Sequence, residues 1–251
     1  MARSPKVARR RRLGAFALVA LGVACACAGL ISFEIPTNIV LETGLKPYQL
    51  KTLSIIQVSL LSLIAAGIGY WATPQLGLRS IIVDGIPPFG ASMLIFLFIG
   101  MVCGIAFGFI DMTLTKQLPL LGSFQSAHEA QLTELEALAT PMMRLAYGGV
   151  TEEILTRYGL LSGVAMTANT LLKRRLSALG LAIILSSVVF GLGHLPAIMA
   201  FVPDAPTIFL AKTGLLNAAS ASLFAVVVVL HSLEASMATH IGFHLTLIGI
   251  G

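Results

Sequence analysis

The sequence predicts an all-α fold, a polytopic bundle of about seven membrane-spanning helices. Composition is the first of three observations behind it. Of 251 residues, 57% are hydrophobic and only 11% charged, where a soluble domain has about 25% charged residues. The second is length. Apolar runs of 18 or more residues recur in series, long enough for a helix to cross the hydrocarbon core, and mean hydropathy is +0.92. The third is where the basic residues fall. Arg3, Lys6 and Arg9 to Arg12 form one tail, and Lys173, Arg174 and Arg175 form one short loop. Both resemble cytoplasmic flanks of spanning helices, so the net charge of +5 is no sign of nucleic-acid binding.

Taken in order, residues 1–12 read as a basic cytoplasmic tail. The first span, 13–31, shares the layout of a signal peptide. Its apolar stretch exceeds the roughly 15 residues of such a region, so it reads as a retained anchor. Spans two and three cover about 53–72 and 89–110, and Pro74, Gly77, Gly85, Pro87 and Pro88 mark a loop between them. Residues 111–141 carry Asp111, Glu129, Glu134 and Glu136 against Lys116. Leu132, Leu135 and Leu138 recur there at helical spacing, which suggests a short helix on the bilayer or a solvated cap. Residues 13–141 thus make an N-terminal unit of three spans plus an acidic loop.

Residues 142–251 make a C-terminal four-helix region. Its first helix, about 142–172, starts after Pro141, a residue suited to a helix's first position, and ends at the basic loop. The others run about 178–201, 208–230 and 233–250. Alternation from a cytoplasmic N-terminus puts the Arg79 loop and the Lys173–Arg175 loop inside and the acidic loop outside. Cys25, Cys27 and Cys103 lie in apolar runs without metal-type spacing and suit packing.

Polar residues in such a chain are costly and mark candidate sites. Gly148-Gly149-Val150-Thr151-Glu152-Glu153-Ile154-Leu155-Thr156-Arg157 places two carboxylates and a guanidinium in an apolar run. Glu153 and Arg157 have the favourable i, i+4 order for an ion pair. Glu152 points about 100° away on an α-helix, which leaves it free for chemistry. Gly148 and Gly149 lie a turn before Glu152 and clear space for water or a substrate backbone. His194 shares a face with Phe190. Gly191 and Gly193 allow close approach by a neighbouring helix, and Pro196 kinks or ends the helix past the histidine. His240 and His244 are four apart, which lets two imidazoles address one centre.

Counting at about 1.5 Å per residue puts Glu152 and His194 at similar depth, about 30 Å from the basic loop. His240 and His244 fall nearer mid-membrane, so convergence of all four needs tilt, kinks or a deeper loop. Plainer readings stand beside the functional one. A membrane histidine is more often an interhelical hydrogen-bonding group, and a Glu–Arg pair can simply fix packing. Lys212 and Glu234, near span ends, can snorkel and receive no role. His128 and His231 read as loop residues.

Glu152-Glu153-x-x-x-Arg157, Phe190-x-x-x-His194 and His240-x-x-x-His244 together resemble the three-motif signature of the CAAX prenyl protease and bacteriocin-processing (CPBP) intramembrane endopeptidases. Lysostaphin-resistance-type proteins are of the same kind. The resemblance covers about 142–250. It departs at His244, where the family often has Asn or Asp.

The resemblance implies a protease acting on a membrane-associated peptide or protein, in an integral membrane protein of the cell membrane. Glu152 would activate water with help from His194. His240 and His244 would polarise the scissile carbonyl, and Glu153 with Arg157 would hold the geometry. A carboxylate shielded from bulk water is a stronger base than a solvated one, and imidazole donors can stabilise an oxyanion. A metalloprotease using Zn²⁺ held by Glu152, His194 and His240 and a metal-free route both remain open. Two other functions also stand: a non-catalytic scaffold or immunity protein, and a proton-coupled transporter. Against the transporter, no inverted repeat is visible.

Overall fold

A chain crossing hydrocarbon must satisfy every backbone N–H and C=O internally, and helices do so within one segment. The computed structural model describes residues 5–35, 37–85, 90–138, 140–202 and 204–250, and they are helical nearly throughout. The N-terminal elements are α1 (Pro5–Ser32), α2 (Thr37–Thr43), α3 (Pro47–Leu76), α4 (Ile81–Asp84), α5 (Gly90–Gln117), α6 (Pro119–Ala127) and α7 (Glu129–Leu138). Two wide π-type segments follow, π1 (Met143–Glu152) and π2 (Ile154–Leu161), running into α8 (Ser162–Leu172). The rest is α9 (Arg175–Gly193), α10 (Leu195–Phe201), α11 (Thr207–Leu230) and α12 (Leu233–Ile250).

Among the described residues, five helical stretches are long and apolar enough to cross a membrane: α1, α3, residues 92–117 of α5, α9 continued through residue 200, and α11. The other two expected spans, 142–172 and 233–250, are helical but lie outside that set. The first is divided among π1, π2 and α8, and both carry polar site residues. Large apolar side chains are exposed along the long helices, among them Leu60, Ile64, Leu94, Phe98, Ile184 and Leu215. That is the surface expected of helices facing lipid.

Several sequence boundaries shift for identifiable reasons. Arg9 to Arg12 do not precede the first helix; they lie within it. Arg11 is buried, and its Nε meets Asp84 at 3.0 Å. A buried guanidinium needs such a partner. Pro74 does not end α3 but sits inside it. A proline cannot donate to the carbonyl four residues back, that of Tyr70, and Arg11 Nη2 donates there instead at 3.3 Å. The stop comes at Gly77, whose φ of 66° is the left-handed conformation glycine favours at a helix end. Pro87, Pro88 and Arg3, and the side chains of Glu134, Leu135, Glu136 and Leu138, lie outside the described residues. Leu132 packs with Leu121, Phe124, Val202 and Phe209, so α7 rests at that residue on an apolar cluster of the protein itself.

Basic residues gather at one end of the bundle. Arg10 contacts the carbonyl of Gly85, Arg175 Nε donates to Leu76 O at 2.7 Å, and Leu233 N donates to Arg79 O at 3.0 Å. The starts of α1, α9 and α12 therefore meet the end of α3 there. Glu234 does more than snorkel. Its carboxylate accepts from Ser80 Oγ, Ile81 N and Ile82 N at 2.7–3.1 Å, and so ties α12 to the first turn of α4. Lys212 is likewise engaged, its Nζ 2.8 Å from Asp111.

The helix carrying the paired histidines is held by α5 through backbone-to-backbone contact. A Cβ on Gly100 would strike the Thr239 carbonyl, one on Gly104 the Phe243 carbonyl, and one on Gly242 the Leu97 carbonyl. Small residues spaced this way let membrane helices pack closely. Thr246 Oγ1 adds a hydrogen bond to Met101 O at 3.0 Å.

Candidate functional site

The two motif carboxylates come to occupy different environments. Glu153 is fully buried. Its Oε1 accepts from His240 Nδ1 at 3.0 Å, its Oε2 accepts from Ser236 Oγ at 2.5 Å, and Arg157 Nε lies 3.6 Å from Oε2. Arg157 is also fully buried, with its guanidinium carbon 5.3 Å from the centre of the Phe190 ring. Glu153 is thus the node where π1–π2 meets α12, and the Glu153–Arg157 pairing read from the sequence is present.

Glu152 is only half-buried. Among the described residues its carboxylate joins no hydrogen bond or ion pair, while it interacts electrostatically with Tyr147 and Arg157. On an α-helix it would point away from Arg157. In a π-type turn each N–H reaches the carbonyl five residues back, so residues i and i+5 come to lie over one another. That winding lets Arg157 sense both carboxylates. It also explains the depth mismatch. One more residue per hydrogen-bonded ring widens the helix and shortens its rise, which draws Glu153 toward the basic end and level with His240.

His240 is buried and stacked between Phe224, at 4.2 Å between ring centres, and His244, at 4.7 Å. Phe190 approaches it at 6.2 Å. Phe190 also packs on the His194 ring at 4.6 Å, so it links all three motifs. Helix α9 ends at Gly193, His194 follows, and α10 begins with Pro196 in its first turn, as that proline predicts. His194 is half-buried, with Nδ1 2.8 Å from Phe190 O. A carbonyl and a carboxylate only accept, so both His194 and His240 carry a proton on Nδ1. When neutral, each ring presents a bare Nε2 that accepts. It donates to a developing oxyanion only when doubly protonated.

The glycine expectations divide. Gly191 sits against Gly214 O and Ala218 of α11, as a close helix approach requires, whereas Gly193 faces open space. The space directly beside Gly148 and Gly149 is taken by a neighbouring helix. A Cβ on Gly148 would lie 2.9 Å from His244 Nε2, and one on Gly149 would strike Ile241. These glycines admit α12. His244 fills that space, electrostatically coupled to His240, Arg144 and His194.

The sequence reading missed Ser236, which donates to Glu153 and also lies 2.9 Å from Phe224 O. Its signal was present: Ser236, His240 and His244 are spaced four apart on one helical face. His128 and His231 stay outside the site, His128 at the end of α6 and His231 just after α11.

The zinc reading meets two geometric facts. Among the described residues no three His, Cys, Asp or Glu side chains gather at metal-holding spacing. The His240 and His244 planes are 24° apart and stacked at 4.7 Å. Lone pairs lie in the ring planes, so two stacked imidazoles do not both reach one ion at about 2.0–2.1 Å. Among the described residues, Glu152, His194 and His240 as arranged do not gather at the spacing of a zinc centre.

The fold and the site together define a class, a helical membrane bundle whose carboxylate, guanidinium and imidazole groups converge inside it. Residues 135–246 match the family model of the Rce1-like type II CAAX prenyl endopeptidases. The match likens this stretch to a CAAX-type intramembrane endopeptidase domain, which is consistent with the CPBP family. No curated protein and no solved structure matches the chain.

Proposed function

We propose that this protein hydrolyses a peptide bond of a membrane-associated protein or peptide with Glu152 as the base. The observation that carries this is the division between neighbouring carboxylates: Glu153 is buried and engaged by His240, Ser236 and the Arg157 charge, while Glu152 is half-buried and its carboxylate is unbonded among the described residues. Glu152 takes a proton from water as the oxygen attacks the scissile carbonyl carbon, and the proton passes to the departing amine. Bases placed in this way contribute about 10²–10⁴-fold. His194, with Nδ1 committed to Phe190 O, keeps Nε2 for the proton's path. Glu153 fixes the orientation of His240, which meets the carbonyl oxygen when doubly protonated, with His244 stacked behind it. The basic end of the bundle is taken as cytoplasmic by the lysine and arginine rule, and the membrane is taken as the cell membrane.

The test uses protein in proteoliposomes and an internally quenched peptide ending in a prenylated CAAX sequence, with its unprenylated counterpart. Glu152→Ala and His194→Ala are each expected to abolish cleavage while the protein stays folded. Cleavage by Glu152→Ala at the wild-type rate removes the mechanism. A scaffold would show no cleavage by the wild-type protein either.

A further inference from the structure

A cavity of about 700 Å³ lies between α5, α7, α11, α12 and the start of π1. It is large enough for an extended peptide segment, since ligand pockets span about 300–1,000 Å³. None of its lining residues belongs to the three motifs, yet its walls lead to them. On α11, Thr213, Asn217 and Ser220 line it and share a face with Phe224, which stacks on His240. On α12, Leu247 and Phe243 line it and flank His244. On the third wall, Thr140 and Arg144 line it. Gly148 lies one turn deeper against His244, and Glu152 one turn beyond that.

Two features indicate what occupies it and from where. The α11 wall is a polar stripe in an apolar helix. The donors of Thr213, Asn217 and Ser220 bond to carbonyls of their own helix, which leaves oxygen lone pairs to accept from a peptide backbone. A lipid chain makes no use of such groups. The cavity also belongs to the end of the bundle opposite the basic cluster. Apart from Ser220, near the middle of α11, its α5, α11 and α12 residues sit in the half of each helix remote from Arg79, Arg175 and Leu233, and Asp111 lines it. Exposed Lys6, Arg9, Arg12, Lys173 and Arg174 mark the far end, the cytoplasmic one by charge.

We propose that this cavity is the substrate channel and that it admits a peptide segment from the extracytoplasmic side. The proposal rests on the peptidase reading above for its product but not for its sidedness. The experiment uses the full chain with Cys25, Cys27 and Cys103 replaced by Ala, carrying either Thr213→Cys or Lys173→Cys, in sealed vesicles of both orientations. A membrane-impermeant maleimide is expected to label Thr213→Cys in right-side-out vesicles and Lys173→Cys only in inverted ones. Labelling of Thr213→Cys only in inverted vesicles overturns the proposal, whether or not the protein cleaves anything.

A second arm attaches a bulky methanethiosulfonate to Thr213→Cys and compares cleavage of the quenched peptide before attachment, after it, and after reduction. A loss of tenfold or more that dithiothreitol reverses is expected, and reversal rules out misfolding. Cleavage unchanged by the adduct shows that the cavity holds lipid or lies off the route. Absence of cleavage by the wild-type protein refutes the peptidase reading and leaves the labelling result to decide sidedness.

Discussion

Replacing Glu153 by Gln tests the division of labour between the two carboxylates most directly. The substitution keeps size and shape but removes the charge. Two buried donors then lose a charged acceptor, His240 at 3.0 Å and Ser236 at 2.5 Å, and buried Arg157 at 3.6 Å loses its counter-charge. Removing one member of a buried ion pair costs about 3–5 kcal/mol, because the other charge stays behind uncompensated. With a two- to four-degree shift for each kcal/mol, melting of the detergent-solubilised protein should fall by on the order of 10 °C. The companion variant Glu153→Gln/Arg157→Met removes the orphaned charge as well. Replacing a whole buried pair by apolar groups is often neutral, so this double variant should regain most of the stability. It should not regain cleavage, because His240 is still unheld. An unchanged melting temperature for Glu153→Gln, or no recovery in the double variant, would refute the reasoning.

The other outcomes follow from the same contacts. Glu152→Gln should lower cleavage by about 10²-fold or more with melting within about 0.5 kcal/mol of wild type, read by quenched-peptide assay and thermal melting on one preparation. Ser236→Ala removes a hydrogen bond to a charged group, worth about 1.5–3 kcal/mol, and should cut kcat by roughly tenfold or more while leaving KM in place. Gly100→Val puts a side chain against the Thr239 carbonyl. It should displace α12 and abolish cleavage together with cooperative melting, whereas Gly180→Val, facing open space, should do neither. The stacked imidazoles predict well under one zinc per chain by elemental analysis and cleavage that survives a chelator. Stoichiometric zinc with chelator-sensitive cleavage would show that these rings rearrange around a metal.

Some of this was legible because it depends on short spacings. Burial in hydrocarbon forces helices, so composition and run length are enough for the class, and the placing of Arg10, Arg79 and Arg175 at one end follows from loop charge. Glu153 with Arg157, the break at Pro196 and the close approach at Gly191 are all encoded within one or two helical turns. Ser236 was equally legible from its spacing to His240, though only its contact with Glu153 gives that spacing meaning.

Tertiary structure decided the rest, because it depends on how helices meet rather than on how each is written. An α-helical count cannot foresee that residues 143–161 wind as π-type turns, which lets Arg157 act electrostatically on both carboxylates and levels Glu153 with His240. Nor does spacing separate a glycine that clears a substrate path from one that admits a neighbour. The 2.9 Å approach of His244 to the Cβ position of Gly148 does so. Covalent spacing sets which side chains share a face; only the packing of α12 between α5 and π1 sets what that face meets.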